Sequence, residues 1–229
     1  MTEPTHARRT AAVPIVVAVD GPSGAGKSSV SRGAAIRLGL RYLDTGAMYR
    51  AITWWMLGHD VSVDDPAAVA VRCAEPEIVS GTDPADPTIT VDGVDVVAAI
   101  RTPEVTGAVS AVSAVPQVRA RLLDLQRAVI DGGDIVVEGR DIGSAVAPDA
   151  EVKVYLTADP AARAARRAAE EGGSDLTATE SSLLARDRID STRTASPLTM
   201  AEGAVHVDTT PYTLAEVVDL IAGLVEDRS

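Results

Sequence analysis

Short apolar runs alternate with longer amphipathic segments along most of the chain. Ile15–Val19 is an unbroken run of β-branched and small apolar residues, which is typical of a parallel strand buried on both faces. Ser29–Leu38 and Ala47–Leu57 follow as predicted helices, and a glycine comes directly after each of them, as is common at helix ends. The chain therefore begins with a predicted strand, a turn and two helices.

The second half of the chain shows the same alternation. Short apolar runs predict strands at Ile135–Val137, Val152–Leu156 and Ala204–Val207. The predicted helices of this half are residues 118–129, Pro160–Glu171, about Thr179–Thr192 and Leu214–Val225. Because strands and helices alternate, we expect an α/β fold with a doubly wound parallel sheet.

The middle of the chain has a different character. After the turn-forming segment Asp83–Pro87, Thr88–Val91 and Val94–Val97 are predicted to pair as a hairpin around Asp92-Gly93. We therefore predict an inserted α+β domain at residues 60–115. The core would comprise residues 14–59 and 116–229, preceded by a flexible tail at residues 1–13.

Composition and charge narrow the possible partners. The 229 residues carry a formal net charge of −12, which disfavours binding to nucleic acid or to an anionic membrane, since both need a basic face. No stretch approaches transmembrane length, and the lone Cys73 excludes an internal disulfide. We expect a cytoplasmic monomer whose arginine clusters mark a local anion site.

A glycine-rich turn after the first predicted strand carries the most specific motif. Gly21–Ser28 fits G-x-x-x-x-G-K-[ST] at every fixed position, between a predicted strand and a predicted helix. In such a P-loop the backbone N–H groups bind phosphate oxygens, Lys27 reaches the β- and γ-phosphates of ATP, and Ser28 binds Mg²⁺. The predicted ATP-binding residues are Gly21, Pro22, Ser23, Gly24, Ala25, Gly26, Lys27, Ser28 and Ser29. The fold class is therefore predicted to be the P-loop NTPase type, but the motif does not identify the acceptor.

Two further segments carry polar residues at positions suited to a ligand. In Leu43–Arg50, Thr45 can cap the following helix, Gly46 allows close approach of a ligand, and Arg50 projects from the helix. In Val136–Gly143, a buried strand ends in charged residues. Ligands bind at the carboxyl ends of strands in open α/β sheets, so these charges are predicted to be functional.

Two helices near the C-terminal end carry arginines at regular spacing. Arg186, Asp190 and Arg193 are four and three residues apart and share one helical face, as a ligand site or as an exposed ion-pair ladder. The Ala-rich helix before Gly172-Gly173 carries three arginines and suits a mobile lid at about residues 160–190, although a solvated helix is the alternative. The predicted lid arginines are Arg163, Arg166 and Arg167.

Taken together, these segments resemble the bacterial cytidylate kinases. The matching stretches are Asp20–Ser29, Leu43–Arg50, Ile100–Val105, Glu138–Gly143 and Arg186–Leu198. They span nearly the whole chain. The resemblance implies a core shared with adenylate kinase, a monophosphate-binding insertion and a short helical lid.

The resemblance also implies roles for individual residues. Ser110, Arg119 and Asp141 match positions that bind the cytosine, and Asp190 matches the position that binds the sugar hydroxyls. The residues implied around the acceptor phosphate or sugar are Arg50, Arg140, Arg186 and Arg193, of which the last three, with Lys27, are predicted to be catalytic. Thr45 stands where the family often has Ser, and Glu138 where some members have Asp, so a role of Glu138 toward metal-bound water is left open.

These observations predict a kinase that transfers the γ-phosphoryl group of ATP to CMP or dCMP with Mg²⁺. A UMP/CMP-, shikimate- or gluconate-type kinase is an alternative, since each shares the P-loop. A nucleotide-dependent regulatory switch is a further alternative, but the sequence lacks an N-K-x-D-type guanine motif.

Overall fold

The structure is a computed structural model, and it describes residues 14–170, 173, 175–193 and 196–228. The predicted flexible tail, residues 1–13, lies outside the described residues, as do Glu171 and Gly172 at the end of the predicted lid helix. Within the described part of the chain, no helix is long and apolar enough to cross a membrane.

The described chain forms eight strands and eight α-helices. The strands are β1 (Val16–Asp20), β2 (Arg41–Asp44), β3 (Ile78–Ser80), β4 (Ile89–Val91), β5 (Val94–Asp95), β6 (Ile135–Gly139), β7 (Val152–Thr157) and β8 (Val205–Asp208). The helices are α1 (Lys27–Leu38), α2 (Thr45–Gly58), α3 (Pro66–Arg72), α4 (Pro103–Ala114), α5 (Pro116–Ile130), α6 (Pro160–Glu170), α7 (Leu176–Thr192) and α8 (Leu214–Glu226). A 3₁₀ turn at Ala99–Arg101 and a π-helical turn at Ile142–Val146 complete them.

Five parallel strands form the central sheet in the order β2-β6-β1-β7-β8. This order confirms the predicted doubly wound α/β fold. In the register of the sheet Asp20 lies opposite Gly139, and Asp44 lies opposite Glu138. The carboxyl ends of β1, β2 and β6 therefore bring their polar residues to the same edge.

The alternating direction of side chains along each strand builds two apolar layers. On β6, Ile135 and Val137 pack into a cluster with α2, α4 and α5, whereas Val136 packs into a second cluster with α1 and α8. Both faces of the sheet are thus covered. This explains why the central strands are almost continuously apolar.

The predicted hairpin is confirmed within residues 60–115. Strands β3, β4 and β5 form a separate antiparallel sheet, in which Val91 lies opposite Val94. Ile78 and Ile89 of this sheet belong to the same apolar cluster as helices α2 and α5. The insertion therefore shares its core with the larger sheet, and its boundaries as a domain remain a prediction.

Candidate active site

A cleft of about 670 Å³ lies at the carboxyl ends of β1, β2 and β6. All ten residues predicted to bind the acceptor line this cleft: Thr45, Gly46, Arg50, Ser110, Arg119, Arg140, Asp141, Arg186, Asp190 and Arg193. Six of the nine predicted ATP-binding residues also line it: Ser23, Gly24, Gly26, Lys27, Ser28 and Ser29. The structure thus brings residues of both predicted sets to one cavity, whereas Gly21, Pro22 and Ala25 do not line it.

The P-loop backbone adopts conformations that require glycine. Gly24 and Gly26 have φ of 76° and 87°, in the left-handed region that L side chains rarely adopt. At Gly21, with φ of 148°, an added Cβ would lie 2.1 Å from the carbonyl oxygen of Leu156. The loop can therefore turn back on itself close to β7.

Lys27 is held inside this loop. Its ammonium donates a hydrogen bond of 2.8 Å to the carbonyl oxygen of Pro22. Burial, with the nearby positive charge of Arg140, lowers the pKa of Lys27 to about 7. An anion in the cleft would restore the charged form of this side chain.

Glu138 forms the floor of the cleft beside the P-loop. The Tyr42 hydroxyl donates a hydrogen bond to its carboxylate, and the Ser28 hydroxyl is also a hydrogen-bonding partner. Burial, with the negative charge of Asp44, raises the pKa of Glu138 to about 7. A carboxylate and a hydroxyl side by side offer the oxygen ligands that Mg²⁺ prefers. Among the described residues, no group of three or more His, Cys, Asp or Glu side chains is placed to hold a metal.

Thr45 does not cap helix α2 as the sequence suggested. Asp44 is the N-cap residue, and its carboxylate accepts a 2.9 Å hydrogen bond from the backbone N–H of Ala47. The Thr45 hydroxyl instead donates to the carbonyl oxygen of Glu138 at 2.7 Å. Thr45 therefore fixes the end of β6 against the start of α2.

Asp20 is a buried residue next to the P-loop that was not among the predicted site residues. It accepts hydrogen bonds of 2.8 Å from the backbone N–H groups of Ile142 and Gly143, and so holds the turn that follows Asp141. Burial raises the pKa of Asp20 to about 6, against the lowering effect of these two hydrogen bonds. The sequence did hold one indication of this role, since Asp20 is a charged residue at the end of a buried strand, directly before the P-loop.

Asp141 lines the cleft and is held there by two arginines. Its carboxylate pairs with Arg119 and lies 3.5 Å from the guanidinium of Arg193. Arg119 also stacks over the ring of Tyr49, 5.4 Å from its centroid. Ser110, on α4, lines the same cleft. The result is a rigid group of donors and acceptors of the kind that can bind a planar base.

Arg140 binds residues of both predicted sets. It pairs with Asp190 at 2.9 Å, not with its neighbour Asp141, and donates to the carbonyl oxygen of Gly21 at 2.9 Å. It also donates to the hydroxyl of Ser23 at 2.6 Å. Arg140 thus contacts the P-loop and the predicted acceptor residues together.

Basic side chains outnumber acidic ones among the residues that line the cleft. Among the described residues Arg50 donates to two neutral oxygens, those of Ile100 and Thr106, at 3.1 and 2.8 Å. Burial and the charge of Arg186 lower the pKa of Arg50 to about 10. The buried Nε of Arg186 lacks a hydrogen-bond partner among the described residues. Such an arrangement favours an anionic ligand, because its oxygens would satisfy both arginines.

The three predicted lid arginines divide into two groups. Arg167 lines the cleft, as expected for a residue that contacts phosphate. Arg163 instead pairs with Asp187 and donates to the carbonyl oxygen of Ser23, and Arg166 binds Thr209 at 2.8 Å. In this structure both side chains are bound by protein groups beside the P-loop, and their role over the phosphates stays a prediction.

Comparison with known proteins gives the family to which the chain belongs. The family whose sequence model matches is Cytidylate kinase, over residues 17–227. A cytidylate kinase of Streptomyces avermitilis is 56% identical over 216 residues, which cover 93% of this chain and 94% of the relative. A cytidylate kinase of Streptomyces griseus subsp. griseus is 58% identical over 221 residues, covering 96% of each chain.

A solved structure supports the fold independently of the sequence. The crystal structure of an uncharacterized protein from Eubacterium ventriosum covers 94% of this chain and 100% of its own, with a TM-score of 0.53 and 11% identity. At that identity the likeness concerns the fold alone. The family match and the two close relatives span nearly the whole length, and on that evidence the chain belongs to the cytidylate kinase family.

Proposed function

We propose that this protein transfers the γ-phosphoryl group of ATP to CMP or dCMP, giving CDP or dCDP. The observation that carries the proposal is one cleft lined both by Lys27 and the P-loop and by the buried Arg119–Asp141 pair. Arg50 and Arg186 line the same cleft, and the buried Nε of Arg186 has no hydrogen-bond partner among the described residues. The phosphates of a donor bound at the P-loop and of an acceptor bound beside Asp141 can therefore both contact these arginines.

Positioning and charge neutralisation supply most of the catalysis in such a transfer. Lys27 would neutralise the β- and γ-phosphates, and the arginines would align the acceptor phosphate, which arginine can bind through two parallel hydrogen bonds. No general base is needed, because a phosphate oxygen is already anionic near neutral pH. Mg²⁺ would reduce the charge on the triphosphate, with Ser28 and Glu138 as the residues beside it.

Base recognition follows from hydrogen bonding at Asp141. Cytosine has an amino group at N4 that the carboxylate can accept from, whereas uracil presents a carbonyl oxygen there. Arg119 can donate to the acceptor edge of the ring. The acceptor of a shikimate- or gluconate-type kinase carries no base, so such an enzyme does not need the buried Arg119–Asp141 pair to recognise it.

The proposal is tested by steady-state turnover with ATP and a panel of acceptors. We expect CMP and dCMP to be phosphorylated efficiently, with no turnover in EDTA and none with shikimate or gluconate. Turnover of shikimate or gluconate at rates comparable to CMP would refute the proposed acceptor. Persisting activity in EDTA would refute only the requirement for Mg²⁺.

We place the reaction in the cytoplasm, where ATP and nucleoside monophosphates are available. The expectations of a monomer and of no nucleic-acid partner remain predictions.

A further inference from the structure

Every polar group of Ser23, in the first turn of the P-loop, is bound by a residue from another segment. Its backbone N–H donates to the carboxylate of Asp187 at 3.1 Å, and its carbonyl oxygen accepts from Arg163 at 3.0 Å. Its hydroxyl accepts from Arg140 at 2.6 Å. Ser23 therefore joins the P-loop to α6, to α7 and to the turn after β6.

Asp187 and Arg163 form this junction outside the cleft. The two side chains pair with each other, and neither is among the residues that line the cavity. Arg163 is buried at 5% exposure, and its Cβ lies 3.0 Å from where a Cβ on Gly24 would be. The pair thus packs against the outer side of the P-loop.

Helix α7 carries both this contact and the acceptor residues. Arg186 directly precedes Asp187, and Asp190 follows three residues later, where it pairs with Arg140. One helix is therefore attached to the P-loop through Asp187 and to the acceptor end through Asp190. A ligand that orders one of these two contacts therefore also orders α7, and with it the other contact.

We propose that Asp187 is a positioning residue that couples ATP binding to acceptor binding. The proposal rests on the proposed function, because it takes Asp190 and Arg140 as contacts of the monophosphate. A ligand that orders one end of a shared element lowers the entropy cost of the second ligand, so each raises the affinity for the other by the same factor. A purely structural Asp187 would leave that factor unchanged.

The experiment measures the coupling directly. The affinity of Mg²⁺ with the non-hydrolysable analogue AMP-PNP is determined by calorimetry, with and without saturating CMP. In the wild-type protein CMP should raise this affinity about fivefold or more, a typical coupling. In Asp187→Ala the factor should fall below about twofold. The matched control is Asp124→Ala, since Asp124 is exposed on α5 and should keep the wild-type factor.

A second measurement needs no variant and holds even if Asp187→Ala does not fold. Hydrogen exchange of the wild-type peptide around Ser23 should slow by about threefold or more when CMP binds alone, since tightened α7 contacts protect that N–H. Exchange that is unchanged there, while the segment around Ser110 becomes protected, would overturn the coupling. An unchanged coupling factor in folded Asp187→Ala would overturn it as well.

These outcomes separate the inference from the proposed function. If CMP is neither bound nor phosphorylated by the wild-type protein, the proposed function fails and the inference fails with it. If CMP is phosphorylated normally but Asp187→Ala retains the coupling factor, only the inference fails.

Discussion

Asp141→Asn replaces one carboxylate oxygen by an amide NH₂ at the acceptor end of the cleft. Asp141 is 5% exposed and accepts from Arg119, with Arg193 3.5 Å from its other oxygen. An amide cannot accept at its NH₂, so one arginine loses a hydrogen bond. The same NH₂ can donate to the O4 carbonyl of uracil, which the carboxylate would repel.

The expected magnitude follows from the hydrogen bonds exchanged. Leaving a buried donor or acceptor unsatisfied costs about 1–3 kcal/mol, which corresponds to about 5- to 150-fold in kcat/KM. The wild-type protein should therefore prefer CMP over UMP by at least about tenfold. In Asp141→Asn, CMP loses its acceptor and UMP gains a donor, so the preference should fall within about threefold.

The assay is kcat/KM for CMP, dCMP and UMP at saturating ATP, and Asp190→Asn is the matched control. Asp190 is equally buried and also pairs with two arginines, Arg140 and Arg193. Both variants should lose a similar stability, about 3 kcal/mol, because each weakens a buried ion pair. Asp190→Asn should alter the ratio of CMP to dCMP and leave the ratio of CMP to UMP unchanged. An unaltered CMP/UMP ratio in Asp141→Asn, or equal changes in both variants, would refute the assignment of base recognition to Asp141.

Two other predictions concern the P-loop and the residue before it. Lys27→Ala should lower kcat by at least about a hundredfold in a folded protein, because the negative charge of the phosphates in the transition state is no longer stabilised by the Lys27 ammonium. Near-normal turnover would contradict this role. The pKa of Asp20 is about 6 in the folded protein, above the usual 3.8. Between these two pH values the folded state binds a proton that the unfolded state has lost. The contribution of Asp20 to the free energy of unfolding therefore falls as the pH rises from about 4 to 6. Asp20→Asn lacks this titration, so its stability relative to wild type, measured by urea unfolding, should improve by up to about 3 kcal/mol between pH 4 and pH 7. A difference independent of pH would mean that the pKa of Asp20 is not raised.

The P-loop and the alternation of strands and helices were predictable because their signals are local. The spaced glycines before Lys27 allow the backbone of the P-loop to turn without help from distant residues. The almost wholly apolar strands indicate burial on both faces of the sheet. The placement of Thr45, Arg140 and Asp141 beside one cleft follows from the sheet, since they come directly after β2 and β6, which end at the same edge.

The residues that the sequence did not reveal depend on partners far along the chain. Asp20 binds backbone N–H groups 122 and 123 residues away, and Asp187 binds Ser23 from 164 residues away. A spacing pattern within one helix cannot show such contacts. For the same reason the regular arginines of α6 did not show that Arg163 faces the P-loop and not the open cleft.

Internal competition tests the central claim most directly. CMP, dCMP, UMP and labelled AMP are mixed at equal low concentration with ATP, Mg²⁺ and the protein, and the diphosphates are separated by chromatography at early times. The label distinguishes ADP made from AMP from ADP left by the donor ATP. The product ratio then equals the ratio of kcat/KM values. CDP and dCDP should exceed UDP by at least about tenfold and exceed the ADP formed from labelled AMP by more, as expected for a site built on hydrogen bonds to cytosine. Predominance of labelled ADP or of UDP would contradict the account.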